Sequence, residues 1–286
     1  MKWKGRETSK NVEDRRGIPP QVAVGGGLIG LIIIGIAILF NVDPQIVQQF
    51  LDAQGQGQAP QAGQAAGKDD EYREFIGVIL RDTESVWRDI FKNQLSSSYQ
   101  EPKLVIFENE VASGCGRAPA SVGPFYCPAD QKIYIDPSFF RELAVRHKAP
   151  GDFAAAYVLA HEVAHHVQLL TGYSDQVNKV RRQGNERESN RASVRLELQA
   201  DYLAGVWAHH AHKKYDILEP GDIETAITAA NQIGDDRLQK MATGYVIPDR
   251  FTHGTSKQRA FWFTKGLKSG DFNAMRQLFE LNYDEL

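Results

Sequence analysis

His161-Glu162-Val163-Ala164-His165 places two imidazoles four residues apart, with a carboxylate directly after the first, in a chain of 286 residues. On a helix these histidines differ by about 40° in azimuth, so both leave one face and can grip one metal ion. Glu162 lies beside that face, where it can take a proton from water. Neutral imidazoles suit a borderline-soft divalent ion such as Zn2+, one per chain, and a catalytic site keeps a further position open for water. Such an ion lowers the pKa of water from about 15.7 to about 7. Glu162 would orient that water, accept its proton and pass it to a leaving amine. The flanking runs Tyr157-Val158-Leu159-Ala160 and Val167-Gln168-Leu169-Leu170 give the helical setting, and Gly172 offers a stop. A pattern with three fixed positions also arises by chance in helices, so a third ligand has to be found.

Glu197 and Asp201 supply it. The segment from Arg195 to Gly205 reads as a second helix with both carboxylates on one face, among Leu196, Leu198, Ala200, Leu203 and Val206. Unpaired carboxylates in that setting would be costly to desolvate, unlike a solvated acidic face such as Glu186 and Glu188 could form. Glu197 would complete the metal's ligand set, and Asp201 would hold the second nitrogen of a ligand histidine and fix its tautomer. A third histidine in the metzincin pattern would fall at Thr171, and Gln168 stands where the metzincin glycine belongs, which excludes that branch. Two histidines and a downstream glutamate form the gluzincin arrangement.

Five blocks extend the likeness beyond the metal motif. They are Trp3-Lys4-Gly5-Arg6 with Asn11 to Gly17, Phe125 to Tyr134, His161 to Gln168, Glu197 to Trp207, and Phe251-Thr252-His253-Gly254 running to Trp262. With these the chain resembles, over nearly its whole length, the bacterial family called putative neutral zinc metallopeptidases. The resemblance implies a membrane-anchored zinc endopeptidase acting on a protein or peptide substrate, and it leaves the substrate unnamed.

Composition agrees with one anchored enzyme. Hydrophobic content of 42% and charged content of 24% are ordinary for a globular protein. Net charge is −3, split as +3 over residues 1–21 and −6 over the remainder. A mildly acidic domain without a basic stripe argues against nucleic acid as a partner. Val22 to Phe40 is a 19-residue stretch without a charge, about 28 Å as a helix against a hydrocarbon core of about 30 Å. A signal peptide would have a shorter apolar run and a small-residue cleavage site. The expectation is therefore a transmembrane helix over 22–40 contacting the lipid bilayer. It would lie between a basic cytosolic segment (1–21) and a Gln/Gly/Ala tether (41–68), with the metallopeptidase domain at 69–286. Basic residues precede the span and none occurs from Asn41 to Gly67. That asymmetry predicts a single pass through the bacterial inner membrane, with the catalytic domain periplasmic or extracellular. Gly26 and Gly30 form a small-xxx-small pair that would suit a homodimer.

Cys115 and Cys127, 12 apart, are the only cysteines. Two thiols cannot build a four-sulfur zinc site, so they read as a disulfide in an oxidising compartment, with two free thiols in a cytosolic protein as the alternative. Lys103–Phe107 and Lys132–Asp136 read as strands, Asp152–Leu170 as the metal helix, and about Asn190–Ala211 as the second ligand helix. Further helices start near Asp222, Ser256 and Asp271. A few strands followed mostly by helices is an α+β plan, here a zincin-like domain, mostly helical with a small sheet, preceded by one transmembrane helix. An edge strand within 125–136 would align an extended peptide. His253, in a turn before a helix, is a candidate donor to the transition-state oxyanion, with a capping or core histidine as the alternative. His166 points about 100° away from His165 and reads as a packing or hydrogen-bonding residue. Two other activities compete: hydrolysis of a non-protein amide such as a cell-wall peptide, or a non-catalytic membrane-anchored zinc-binding scaffold. Glu162 argues against the scaffold, because a closed structural site needs no base.

Overall fold

Phe75, Ile76, Ile79, Val86 and Ile90 recur at helical spacing and form the buried face of helix α1 (Lys68–Gln94). They do so in a computed structural model that describes residues 1–17, 68–146, 148–243 and 245–286. Strands β1 (Val12–Asp14), β2 (Lys103–Ile106), β5 (Phe125–Cys127) and β6 (Lys132–Ile135) make a sheet in the order β1-β2-β6-β5. β1 and β2 pair in parallel, as do β2 and β6, while β5 runs antiparallel to β6 and lies at the edge. Alternation sorts the two faces. Leu104, Ile106, Ile133 and Ile135 join the main core, whereas Val105, Tyr134 and Cys127 join a smaller cluster on the other side. Strands β3 (Glu110–Ser113) and β4 (Gly116–Pro119) form a separate hairpin between β2 and β5. The Cys115–Cys127 disulfide links the turn of that hairpin to the edge strand.

The helical part follows as α2 (Ser138–Val145), α3 (Asp152–Leu170), α4 (Tyr173–Gln183), α5 (Glu186–Tyr215), α6 (Asp222–Gln232), α7 (Asp235–Thr243), α8 (Ser256–Ser269) and α9 (Gln277–Glu280). The metal helix α3 is apolar nearly all round because it is enclosed on nearly all sides. Helix α5 outruns the predicted span at both ends. It starts on a capping box between Asn185 and Glu188, and Asp216 closes its far end in a left-handed conformation. Helices α5 and α8 cross backbone against backbone. A Cβ on Gly266 would lie 2.0 Å from the Tyr202 carbonyl oxygen, and one on Gly205 would lie 2.1 Å from that of Phe263. Only glycine permits that approach.

Residues 1–17 do not stand apart from the domain. Trp3 is buried, stacks edge-on against Phe75, and donates its indole N–H to Asp152 at the start of α3 (2.7 Å). Arg6 grips the buried Asp82 of α1 with two bonds of 2.7 and 2.6 Å. Asn11 accepts from the Leu104 amide at 2.9 Å, which carries the chain into the β1–β2 ladder. Residues 1–17 thus pack against α1, α3 and β2 as part of the same folded unit.

The expectation of a transmembrane helix ahead of an α+β domain is corrected in part. The described chain is mostly helical with a small sheet, but none of its helices is long and apolar enough to cross a membrane. The two longest, α1 and α5, carry charged residues along their length. Residues 22–40, where the span, its bilayer contact and the Gly26/Gly30 pair were expected, lie outside the described residues, as do residues 41–67 of the expected tether.

Trp3→Ala should destabilise the whole domain by about 3–5 kcal/mol, as for other buried tryptophans. For a domain of this size that lowers the melting temperature by roughly 6–20 °C. An unchanged melting curve would mean that residues 1–17 do not dock.

Candidate metal centre

Helix α3 brings His161 and His165 together with ring centroids 4.8 Å apart and ring planes nearly perpendicular. Glu197, on the neighbouring helix α5, meets both. Its Oε2 is 3.1 Å from His161 Nε2, and its Oε1 is 3.6 Å from His165 Nε2. Donor atoms of all three residues lie within 4.8 Å of one another, and these residues form the metal-type cluster found among the described residues. Two imidazole nitrogens and one carboxylate match the donor set of a catalytic zinc site.

The opposite ring nitrogens are held in the way that metal-binding histidines are held. Asp201 Oδ1 lies 2.9 Å from His161 Nδ1. As a carboxylate it accepts, so Nδ1 carries a hydrogen. Burial opposes a charge on His161, yet Asp201 and Glu197 together raise its pKa to about 10. A metal taking the place of the Nε2 proton would leave the Nδ1 bond intact. For His165 the partner is Gln168 Oε1 at 2.9 Å. The Gln168 amide donates to the Leu196 carbonyl (2.7 Å) and to Gln199 Oε1 (3.0 Å), which fixes its oxygen as the acceptor. His165 therefore also donates from Nδ1 and turns Nε2 inward. Holding ligand histidines by their outer nitrogens orients the rings and raises their basicity.

Asp201 is fully buried and has four donors. Besides His161 they are Tyr157 Oη at 2.6 Å, and Arg259 Nε and Nη2 at 2.8 and 3.0 Å. Burial opposes its charge, yet Arg259 and His161 outweigh burial and hold the carboxyl down to about 2. Burial likewise opposes the Glu197 carboxylate, and the imidazoles of His165, His161 and His253 still keep it well below its ordinary range. Glu162 behaves in the opposite way. Buried beside the ligands, it has its pKa raised by desolvation, the direction a proton acceptor near neutral pH requires.

His161, Glu162, His165 and Glu197 line a cleft of about 560 Å³ walled by Phe125 and Tyr126 of edge strand β5, by Phe139 and Val158, and by Ile233. His253 lines the same cleft with a half-exposed ring. Its loop is organised by Asp235, whose Oδ2 accepts from the backbone amides of Thr252 (2.6 Å), His253 (2.5 Å) and Gly254 (3.1 Å). Asp235 Oδ1 lies 3.2 Å from His253 Nδ1. That bond raises the His253 pKa, and the Glu197 charge adds to it against a smaller opposing effect of burial.

His161, Glu162, His165, Glu197, Asp201 and His253 thus come to one place from two helices and a loop. Four partners were missed from sequence: Arg259, Tyr157, Gln168 and Asp235. Gln168 had a local signal, being an amide three residues after His165 in an otherwise apolar run. Tyr157 lies one turn before His161, also in register. Nothing in the sequence ties Arg259 to Asp201 or Asp235 to His253.

The sequence profile of the family described as putative neutral zinc metallopeptidase matches residues 1–277. The chain is similar to "Uncharacterized protein YpfJ" of Escherichia coli (strain K12), with 43% identity over 281 residues covering 95% of this chain and 96% of that relative. It is also similar to "Uncharacterized protein Rv2575" of Mycobacterium tuberculosis (strain H37Rv), with 40% identity over 200 residues covering 66% of this chain and 65% of that relative. No solved structure matches the chain.

The geometry separates ligands from the groups that hold them. His165→Ala and Glu197→Ala should abolish stoichiometric zinc uptake in a chelator-competition titration. Asp201→Asn and Gln168→Ala should retain binding but weaken it on the order of 10–100-fold. Equal, complete loss in all four variants would contradict this division.

Proposed function

The chain belongs to the putative neutral zinc metallopeptidase family, and on that premise we propose that it is a zinc endopeptidase with Glu162 as general base. The observation that carries the reading is a donor triad of His161, His165 and Glu197 at the floor of an open cleft, with a desolvated carboxylate beside it. A closed structural site would need neither the cleft nor Glu162. Zinc, when bound there, supplies Lewis acidity for attack on a carbonyl. The chain supplies the rest.

Glu162 accepts a proton from the attacking water and returns it to the amine that leaves, so the peptide C–N bond breaks without net change in the enzyme's protonation. Edge strand β5 offers main-chain hydrogen bonds to an extended peptide along the cleft wall. His253 donates a hydrogen bond to the oxyanion of the tetrahedral state, and Asp235 favours the charged imidazole that donates best. Asp201 and Arg259 lie behind the ligands and keep His161 in one orientation. The Cys115–Cys127 disulfide supports placement of the folded domain in an oxidising compartment, outside the cytosol.

Glu162→Gln should keep about one zinc per chain while hydrolysis of a peptide library falls by roughly 10²–10⁴-fold, the range of one acid–base group. His253→Ala should lower kcat by roughly 10²–10³-fold, as for loss of one oxyanion donor, with zinc content and melting temperature held. Full activity in Glu162→Gln would sink the mechanism. Full activity in His253→Ala would remove only the role given to that residue.

A further inference from the structure

The run from His161 to His166 contains two interleaved pairs at i,i+4 spacing. His161 and His165 face Glu197. Glu162 and His166 share the next face of α3, which turns towards edge strand β5. His166 is fully buried, and its ring packs edge-on against Tyr99 and Tyr126.

Both of its nitrogens are engaged. Nε2 lies 2.7 Å from the Gln100 carbonyl oxygen, and Nδ1 lies 2.8 Å from Tyr126 Oη. A carbonyl can only accept, so the hydrogen is on Nε2 and Nδ1 accepts from the Tyr126 hydroxyl. The ring is then neutral, in keeping with the lowering of its pKa by burial. Tyr126 is the middle residue of β5, pairs with Ile133 of β6 and lines the cleft. One tyrosine thus joins the cleft's edge strand, through its side chain, to the histidine one turn beyond Glu162 on α3.

We propose that His166 is a positioning residue: through Tyr126 it ties β5 to the metal helix, so that Glu162 and the strand edge that takes the peptide keep one separation. The inference rests on the peptidase reading, because only a peptide bound along β5 needs that separation. Without the tie the strand would stay in the sheet through β6 but shift against α3. Substrate carbonyl and base would then fall out of register, while the metal ligands, on the other face, would keep their geometry.

Tyr126→Phe removes a single oxygen atom and is the cleaner variant, and His166→Phe removes the ring's two bonds. In each, zinc content should stay at one per chain. Amide exchange at Phe125–Cys127 should rise about 10-fold, the effect of one buried hydrogen bond. With an internally quenched peptide that the wild type cleaves, kcat/KM should fall about 10-fold in each. The double variant should lose little more than either single one, since both cut the same link. Wild-type exchange and wild-type kcat/KM in Tyr126→Phe, or a double variant whose loss is the product of the two single losses, would overturn the proposal. Exchange and zinc content are read without substrate. Failure of the wild type on every peptide would therefore count against the peptidase reading alone.

Discussion

A carboxylate with no solvent exposure holds this structure's functional half together. Asp201 is ionised in the interior, and such a charge is tolerated only when its lone pairs are filled by close, well-aligned donors. The donors come from different elements: Tyr157 and His161 from α3, Arg259 from α8. Removing a partner from a buried pair of this kind costs about 3–5 kcal/mol, because the remaining charge is left uncompensated. The same interaction that locks three helices also orients His161, a member of the candidate metal triad.

Arg259 reaches Asp201 because α5 and α8 touch at Gly205 and Gly266. Gly266 and Arg259 are seven residues apart, two turns along one helix face. The close crossing therefore sets the height at which the guanidinium meets the carboxylate. A side chain at either glycine would push the helices apart at the point where the Arg259 fork needs both of its bonds. Backbone contact without side chains, in a region that otherwise packs Tyr202, Trp262 and Phe263, serves the geometry of the centre.

The two ligand histidines are anchored differently. His161 leans on a charged pair buried between helices, whereas His165 leans on neutral Gln168, itself held by Leu196 and Gln199 of α5. Both anchors are independent of any bound metal, so the rings are pre-oriented with their Nε2 atoms inward. The Trp3 indole bonded to Asp152 extends this support to the start of α3. A metal helix braced at its first residue and through Asp201 and Gln168 has little freedom to reorient, which is what a precise site demands.

Sequence by itself determined the parts of this protein whose physics is local. The i,i+4 pair His161/His165, the neighbouring Glu162, and Glu197 with Asp201 four residues on were legible because helical periodicity fixes which side chains share a face. The span Asp152–Leu170 and the alternation of Lys103–Ile106 and Lys132–Ile135 were legible for the same reason. Short helices were not: α4 and α7 carry polar sequences whose apolar stripe is only a few residues wide. Tertiary structure alone decided what depends on distant encounters. Arg259 meets Asp201 across 58 residues, and Asp235 meets His253 across 18. Residues 1–21 read from sequence only as a basic segment, with no strand in them. Val12–Asp14 add a parallel edge strand to the sheet, which was not legible because a strand of three residues has too short a pattern to read and parallel pairing leaves no local turn to announce it.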